Sequence, residues 1–119
     1  MPLVSPQHLR VRQIGFTQIV SFARPYLQSE DEIQKAGLEL VGLVEDKTHA
    51  KVLLSFDGVR FVSSSVLAHV VRLQKKLTKT KGKLRLCSLT PQLQDILRAS
   101  QLDKLLEVYP DEKAALADF

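Results

Sequence analysis

Near the start of the chain, Phe16, Gln18, Val20 and Phe22 alternate with Thr17, Ile19, Ser21 and Ala23. A period of two, rich in β-branched residues, predicts a strand that Pro25 stops. Leu9, Val11 and Gln13 predict an earlier strand joined to it through Gly15. The period then changes. Ile33, Ala36, Leu40 and Val44 recur at spacings of three and four, with Val41 and Leu43 widening the stripe. That pattern predicts an amphipathic helix ending near Asp46. Its start is marked by Ser29-Glu30-Asp31-Glu32, a capping box. The Ser29 hydroxyl can accept from the amide three residues on, Glu32 can reach back, and acids in the first turn suit the helix dipole.

From Lys51 to Phe56 the chain is almost continuously apolar, as expected of a central strand covered on both faces. Asp57-Gly58 predicts a turn, after which Val59, Phe61 and Val62 remain apolar. A second helix is predicted from near Ser63 to Ser65, with Val66, Val70, Leu73 and Leu77 as its stripe and Leu67 and Val71 beside it; Lys81-Gly82 ends it. Lys83 to Leu89 alternates again and predicts a strand. Thr90-Pro91 predicts a helix start, Thr at the cap and Pro at the first helical position, with Leu93, Ile96 and Leu97 facing inward. Leu102, Leu105, Leu106, Val108 and Tyr109 supply a further turn and a short strand. Pro110-Asp111 opens a last helix carrying Ala114, Ala115, Leu116 and Phe119. Strands that alternate with helices predict an α/β fold whose sheet contains parallel pairs joined by right-handed crossovers.

Composition narrows what such a fold can do. The 119 residues suit one domain, and 45% hydrophobic with 25% charged residues is a globular balance that argues against disorder. One cysteine, Cys87, can make no internal disulfide, and the spacing rules for zinc have nothing to act on. A reducing, cytoplasmic setting is expected. The first residues carry no apolar signal-peptide core, and no apolar run approaches the length that spans a bilayer. The net charge of +4 is local. Arg72, Lys75, Lys76, Lys79, Lys81, Lys83 and Arg85 fall in one stretch without an acid, and the rest of the chain is net acidic.

Catalytic signatures are lacking. His8, His49 and His69 lie on three different elements, a distribution ordinary for surface or packing residues. Glycines at 15, 37, 42, 58 and 82 form neither of the Gly-rich phosphate loops, and there is no G-x-S-x-G elbow. Cys87, in a predicted strand, reads as a small apolar filler. No enzyme activity, metal or cofactor is expected. The basic stretch from Arg72 to Arg85 reads as a solvated face in which Lys suits a helix C-terminus. It has no aromatic for stacking on bases, so nucleic acid is a poor fit; an anionic membrane surface or an acidic protein patch remains open.

The serine cluster Ser63-Ser64-Ser65 is the most informative feature. It follows a buried strand and opens a helix, where one hydroxyl at the cap stabilises by about 1 kcal/mol. Capping explains one serine and leaves two. A phosphoryl group at a helix start is locally tolerated, yet it adds about −1.5 to −2 charge to the exposed surface and would weaken docking there.

At this cluster the sequence resembles the STAS domain (sulphate transporter and anti-sigma factor antagonist), specifically the free-standing bacterial anti-anti-sigma factors. The resemblance is carried by KVLLSFDGVRFVSSSVLAHVVRLQKK, residues 51–76, and GKLRLCSLTPQLQDILRASQLDKLLEVYPDEKAAL, residues 82–116. It implies one STAS-like domain over residues 1–119, with a core from about residue 13 to 119. The implied fold is a mixed β-sheet of four to five strands with parallel pairs, and about four helices packed mainly on one side. Family members bind an anti-sigma factor that is also a serine kinase. The kinase phosphorylates the antagonist at a serine in Asp-Ser-(Ser/Thr/Ala)-Gly-Leu, the complex separates, and a serine phosphatase resets the switch. By position, Ser64 matches the phosphoacceptor, with Ser63 and Ser65 as substitutes, and Leu67 matches the Leu. Ser63 stands where the family has Asp, Ser65 at the following small residue, and Val66 where it has Gly. The expected partner surface is Asp57, Gly58 and Arg60 with Ser63, Ser64, Ser65, Val66 and Leu67. The two departures from the motif keep a second expectation open, a STAS scaffold subunit of a transporter or signalling complex that is not phosphorylated. A third, a basic nucleic-acid or membrane-surface binder, would use Arg72 to Arg85.

Overall fold

The computed structural model describes residues 8–23, 26–27, 29–45 and 47–119, so the expectations at Pro25 and Asp46 lie outside the described residues. The elements alternate as the hydrophobic periods predict. Strand β1 (Leu9–Ile14) turns at Gly15 into β2 (Thr17–Phe22); β3 (Tyr26–Leu27) precedes helix α1 (Glu30–Leu43). Then come β4 (Lys51–Ser55), β5 (Phe61–Val62), α2 (Ser65–Lys79), β6 (Lys83–Cys87), α3 (Pro91–Ala99), a 3-10 turn (Leu102–Lys104), β7 (Glu107–Tyr109) and α4 (Glu112–Leu116). Three helix starts carry a side-chain cap, whereas the cap expected of the serine cluster is not made: Ser64, the N-cap of α2, forms no side-chain capping bond. Ser29 Oγ accepts from the Glu32 amide at 3.4 Å, Thr90 Oγ1 from Leu93 at 3.1 Å, and Asp111 Oδ1 from Ala114 at 2.8 Å. Each satisfies an amide that has no partner within its helix.

The main sheet has five strands in the order β1-β2-β4-β6-β7. β1 and β2 form an antiparallel hairpin with Leu9 opposite Phe22; the pairs β2–β4, β4–β6 and β6–β7 are parallel. β4 is central, which accounts for its unbroken apolar run: Val52 and Leu54 face one side, Leu53 the other, and all three are buried. The first side carries the main core, with Ile33, Ala36 and Leu40 of α1, Val66, Val70, Leu73 and Leu77 of α2, and Leu93 and Leu97 of α3. The other side is roofed by α4, whose Ala115 packs with Ile19, Leu53 and Cys87.

The differences from the sequence reading are local. β3 and β5 pair in parallel as a separate two-stranded sheet that no periodicity announces, because two residues are too few to show a period. Phe16 belongs to the hairpin turn, not to a strand face, and is 91% exposed. α1 ends at Leu43, with Val44 as its C-cap. In β6 the alternation fails, since Leu84, Arg85, Leu86 and Cys87 are all buried. Arg85 is therefore a correction to the solvated basic face: it lies under α4 and is 8% exposed. Its guanidinium donates to the carbonyls of Ala115 (3.0 Å), Ala117 (2.9 Å) and Asp118 (3.3 Å), and it stacks 5.0 Å from the Tyr109 ring centroid and 4.6 Å from that of Phe119.

Candidate functional site

β4 delivers the chain to the expected surface. At its end Ser55 Oγ accepts from the Asp57 amide at 3.2 Å, and the Val59 amide returns to the Phe56 carbonyl at 3.0 Å, closing a tight turn. Gly58 sits in that turn at φ +83°, a left-handed conformation that costs glycine nothing. Asp57, Gly58 and Arg60 are exposed, whereas Val59 is buried and anchors the loop to the core. Two residues of β5 then lead directly into the serine cluster.

The three serines are not equivalent. Ser63 and Ser65 are half-buried, and their hydroxyls lie 3.0 Å apart. Ser65 Oγ donates to Glu30 Oε1 at 2.9 Å, and the Ser65 amide donates to Ser63 Oγ at 3.4 Å. Each hydroxyl has one proton. Ser65 gives its own to Glu30, so Ser63 must be the donor to Ser65, and a short relay Ser63–Ser65–Glu30 ties the start of α2 to the start of α1. Ser64, the N-cap residue of α2, is exposed and makes no side-chain capping bond. Among the described residues, its hydroxyl is the one of the three with no hydrogen-bond partner. Val66 and Leu67, 4% and 6% exposed, turn into the core. The outward part of the expected surface is thus Asp57, Gly58, Arg60 and Ser64, flanked by Ser63 and Ser65.

The electrostatics of this corner depend on a residue that the sequence did not single out. α2 has no acid in its own first turn, whereas α1 has Glu30, Asp31 and Glu32. Glu30 supplies the missing negative charge from the neighbouring helix. No local signal could have found it, because its contact with Ser65 spans 35 residues. Next to it, Glu30, Gln34, Leu38, His69 and Arg72 line a hollow of about 300 Å³. Here α1 and α2 meet closely: a Cβ on Gly37 would stand 2.2 Å from His69 Nδ1. Burial holds the His69 pKa below its usual value, Arg72 lowers it further, and Glu30 partly opposes both. Cys87 is fully buried beneath α4, and burial raises its thiol pKa. Among the described residues no cluster of His, Cys, Asp and Glu could hold a metal ion, and no helix is long and apolar enough to cross a membrane.

Comparison with known proteins agrees with this architecture. The family model of the STAS domain matches residues 12–115, and the chain belongs to that family. Among solved structures, an anti-sigma-factor antagonist (STAS) domain protein from Planctomyces limnophilus is similar at TM-score 0.80 and 24% identity, over 92% of this chain and 95% of that one. The Bacillus cell fate determinant SpoIIAA in its phosphorylated form is similar at TM-score 0.67 and 15% identity, over 89% of this chain and 95% of that one. The murine Solute Carrier 26 family member A9 anion transporter also contains the fold: TM-score 0.71, 15% identity, 89% of this chain but 18% of the transporter. No curated protein matches the chain. At these identities the structural likenesses establish the fold. The mixed α/β architecture, with its mostly parallel five-stranded sheet and four helices, is the STAS fold.

Proposed function

We propose that the protein is a non-catalytic, cytoplasmic regulator that binds an anti-sigma factor acting as a serine kinase, and that phosphorylation of Ser64 releases it. The observation that carries this reading is the inequality of the three serines. Ser64 is exposed at the helix start with an uncommitted hydroxyl, whereas Ser63 and Ser65 are half-buried and hydrogen-bonded toward Glu30. A kinase needs an accessible hydroxyl, and a docking surface needs exposed groups on a rigid support. Asp57, Gly58 and Arg60 provide the second, on a loop fixed by Val59. A phosphoryl group on Ser64 would put a dianion into any interface formed there, where desolvation and repulsion oppose it. A serine phosphatase would restore binding.

A second reading, a STAS interaction subunit without phosphorylation, is favoured by one specific feature. Val66 is buried where the phosphorylated family motif has Gly, and Ser63 replaces its Asp. The presence of the fold within an anion transporter suits that alternative.

Binding of the native host's anti-sigma kinases to wild-type, Ser64→Asp and Ser64→Ala chains tests the first reading. Ser64→Asp is expected to bind at least about tenfold more weakly, a loss of about 1.4 kcal/mol or more, while Ser64→Ala binds and stays bound in the presence of ATP. If both variants behave as wild type does, the switch is wrong. Intact mass of the chain purified from its host then decides for the second reading if no phosphorylated form is found.

A further inference from the structure

The basic stretch of α2 contains a feature that the Ser64 surface does not use. α2 buries one side in the core, and its outer side faces the 3-10 turn and the residues after it, leaving a groove between them. Two adjoining hollows, of about 420 Å³ and about 400 Å³, share Val71 and Lys75 as common walls. They form one trough from Leu67 to Lys79, ~18 Å long at 1.5 Å per helical residue. Its lining is apolar along the bottom, with Val71, Leu102, Leu105 and Leu106. Leu105 is 59% exposed, a large apolar side chain with no cover. Gln74 Nε2 donates to the Leu105 carbonyl at 3.3 Å, so the two walls are tied together.

The rim has one sign of charge. Arg72, Lys75 and Lys79 follow at spacings of three and four along one stripe of α2, and among the described residues no carboxylate lines the groove. Their neighbour Lys76 points elsewhere and pairs with Glu45 at 3.3 Å. Among the described residues, Arg72, Lys75 and Lys79 have no ion-pair partner. An occupant must therefore cover an apolar floor and neutralise a row of cations together. A simple anion would leave the floor wet, and an uncharged apolar segment would desolvate the cations without compensation. Nucleic acid finds no aromatic side chain in the groove on which to stack. A flat bilayer would meet the exposed Leu105 but not Leu106 at the floor, which is 5% exposed. We propose that this groove docks an acidic amphipathic helix of a partner protein. Aliphatic residues at every third or fourth position would enter the groove over Val71, Leu102 and Leu105, while Asp or Glu on the flanks would meet Arg72, Lys75 and Lys79. Docking in this groove is independent of phosphorylation at Ser64.

The test is an NMR titration of the full chain with two synthetic helical peptides of about 14 residues, long enough to span the groove. Both carry the same leucine stripe; one has Glu flanks and the other Lys flanks. The acidic peptide is expected to shift the amide signals of Val71, Lys75, Lys79 and Leu105, with an affinity that falls as salt rises. The double variant Lys75→Glu/Lys79→Glu should weaken it by about tenfold or more and favour the basic peptide instead. Leu105→Ser, a neutral change at an exposed position, should weaken the acidic peptide while the rest of the spectrum stays that of the folded chain. The proposal is overturned if neither peptide shifts these signals at millimolar concentration, if both bind equally well, or if the shifts lie away from the groove. Binding of phosphatidylglycerol vesicles that is lost in the Lys variant, with the acidic peptide silent, would assign the rim to a membrane surface and also overturn it.

Discussion

Replacing Arg85 with Met asks how the last helix is held on the sheet. α4 has five residues, far too few to be stable alone, so its place depends on docking. Ala115 is buried against Ile19, Leu53 and Cys87, with Tyr109, Leu116 and Phe119 around them. The other contribution is the guanidinium, with three carbonyl acceptors near the end of α4 and two aromatic faces. Hydrogen bonds from a charged donor contribute about 1.5–3 kcal/mol each, but they do not add here, because the carbonyls regain water once α4 lifts away. Losing the guanidinium also removes the cost of desolvating it, which Met does not carry. Glu107 recovers little of that cost. Its carboxylate is 3.3 Å from Arg85 Nε but is not aligned for a hydrogen bond, and it is largely exposed. The balance is a loss of about 2–3 kcal/mol for Arg85→Met, or a Tm lower by roughly 10 °C for a chain of this length. Arg85→Lys, which keeps the charge but not the planar fork, should fall between the two. Urea unfolding measures the total, and hydrogen exchange of the amides from Glu112 to Leu116 localises it. If Arg85→Met unfolds within about 0.5 kcal/mol of wild type and those amides stay protected, the guanidinium does not hold the helix.

Three further outcomes follow from the same packing. Gly37→Ala should destabilise by about 1–3 kcal/mol, because the new Cβ meets His69 Nδ1 at 2.2 Å and Cγ at 2.6 Å; His69→Ala in the same chain should restore most of the loss, and a double-mutant cycle without coupling would refute the contact. Burial first, and Arg72 second, lower the His69 pKa below 6.5, so the unfolded chain takes up this proton at a higher pH than the folded one. Stability should therefore fall as pH drops through about 6.5, the loss being complete only below the folded-state pKa; urea midpoints at about pH 7 and about pH 5 should converge in His69→Gln, and an unchanged slope would contradict the assignment. Cys87 is buried with its thiol pKa raised by that burial, so a thiol-directed reagent should label the native chain only as fast as it opens; labelling as rapid as in urea would show that α4 does not cover it.

Where the chain's own neighbourhood decides the structure, the sequence was readable. Ser29, Thr90 and Asp111 cap the helices that their spacing announces, and the helical stripes at Ile33–Val44 and Val66–Leu77 are the buried positions. Where two distant segments decide it, the local pattern misleads. Leu-Arg-Leu in β6 looks like a strand with one wet face. Arg85 is dry because α4, 30 residues later, closes over that face; Leu53 of β4 and Ile19 of β2 were the hint that both faces were apolar. A period of two says which residues share a face but not where the strand begins, and so the alternation takes in Phe16 although the strand starts one residue later. The same division runs through the candidate site. Three hydroxyls at a helix start are visible in one line of sequence. Which of them is free is not, since it depends on Glu30 reaching across from another helix to Ser65.

That reach bears on why Ser64, rather than its neighbours, suits a reversible charge. A phosphoryl group on Ser64 lies at a helix start with no acid in its first turn, where the dipole favours a negative charge by about 0.3–1 kcal/mol. Glu30, bonded to the adjacent Ser65, works against it by a comparable amount at an exposed site. The two nearly cancel, so the free protein is little disturbed. A partner seated over Ser64 would meet the cost of desolvating about −1.5 to −2 charge, a penalty of several kcal/mol that the helix dipole offsets only in part. The same group on Ser63 or Ser65 would instead break the relay to Glu30 and press a dianion toward a carboxylate, loosening the junction of α1 and α2 itself. A switch that must act on the complex and spare the fold is therefore better served by Ser64, which no side-chain hydrogen bond among the described residues holds.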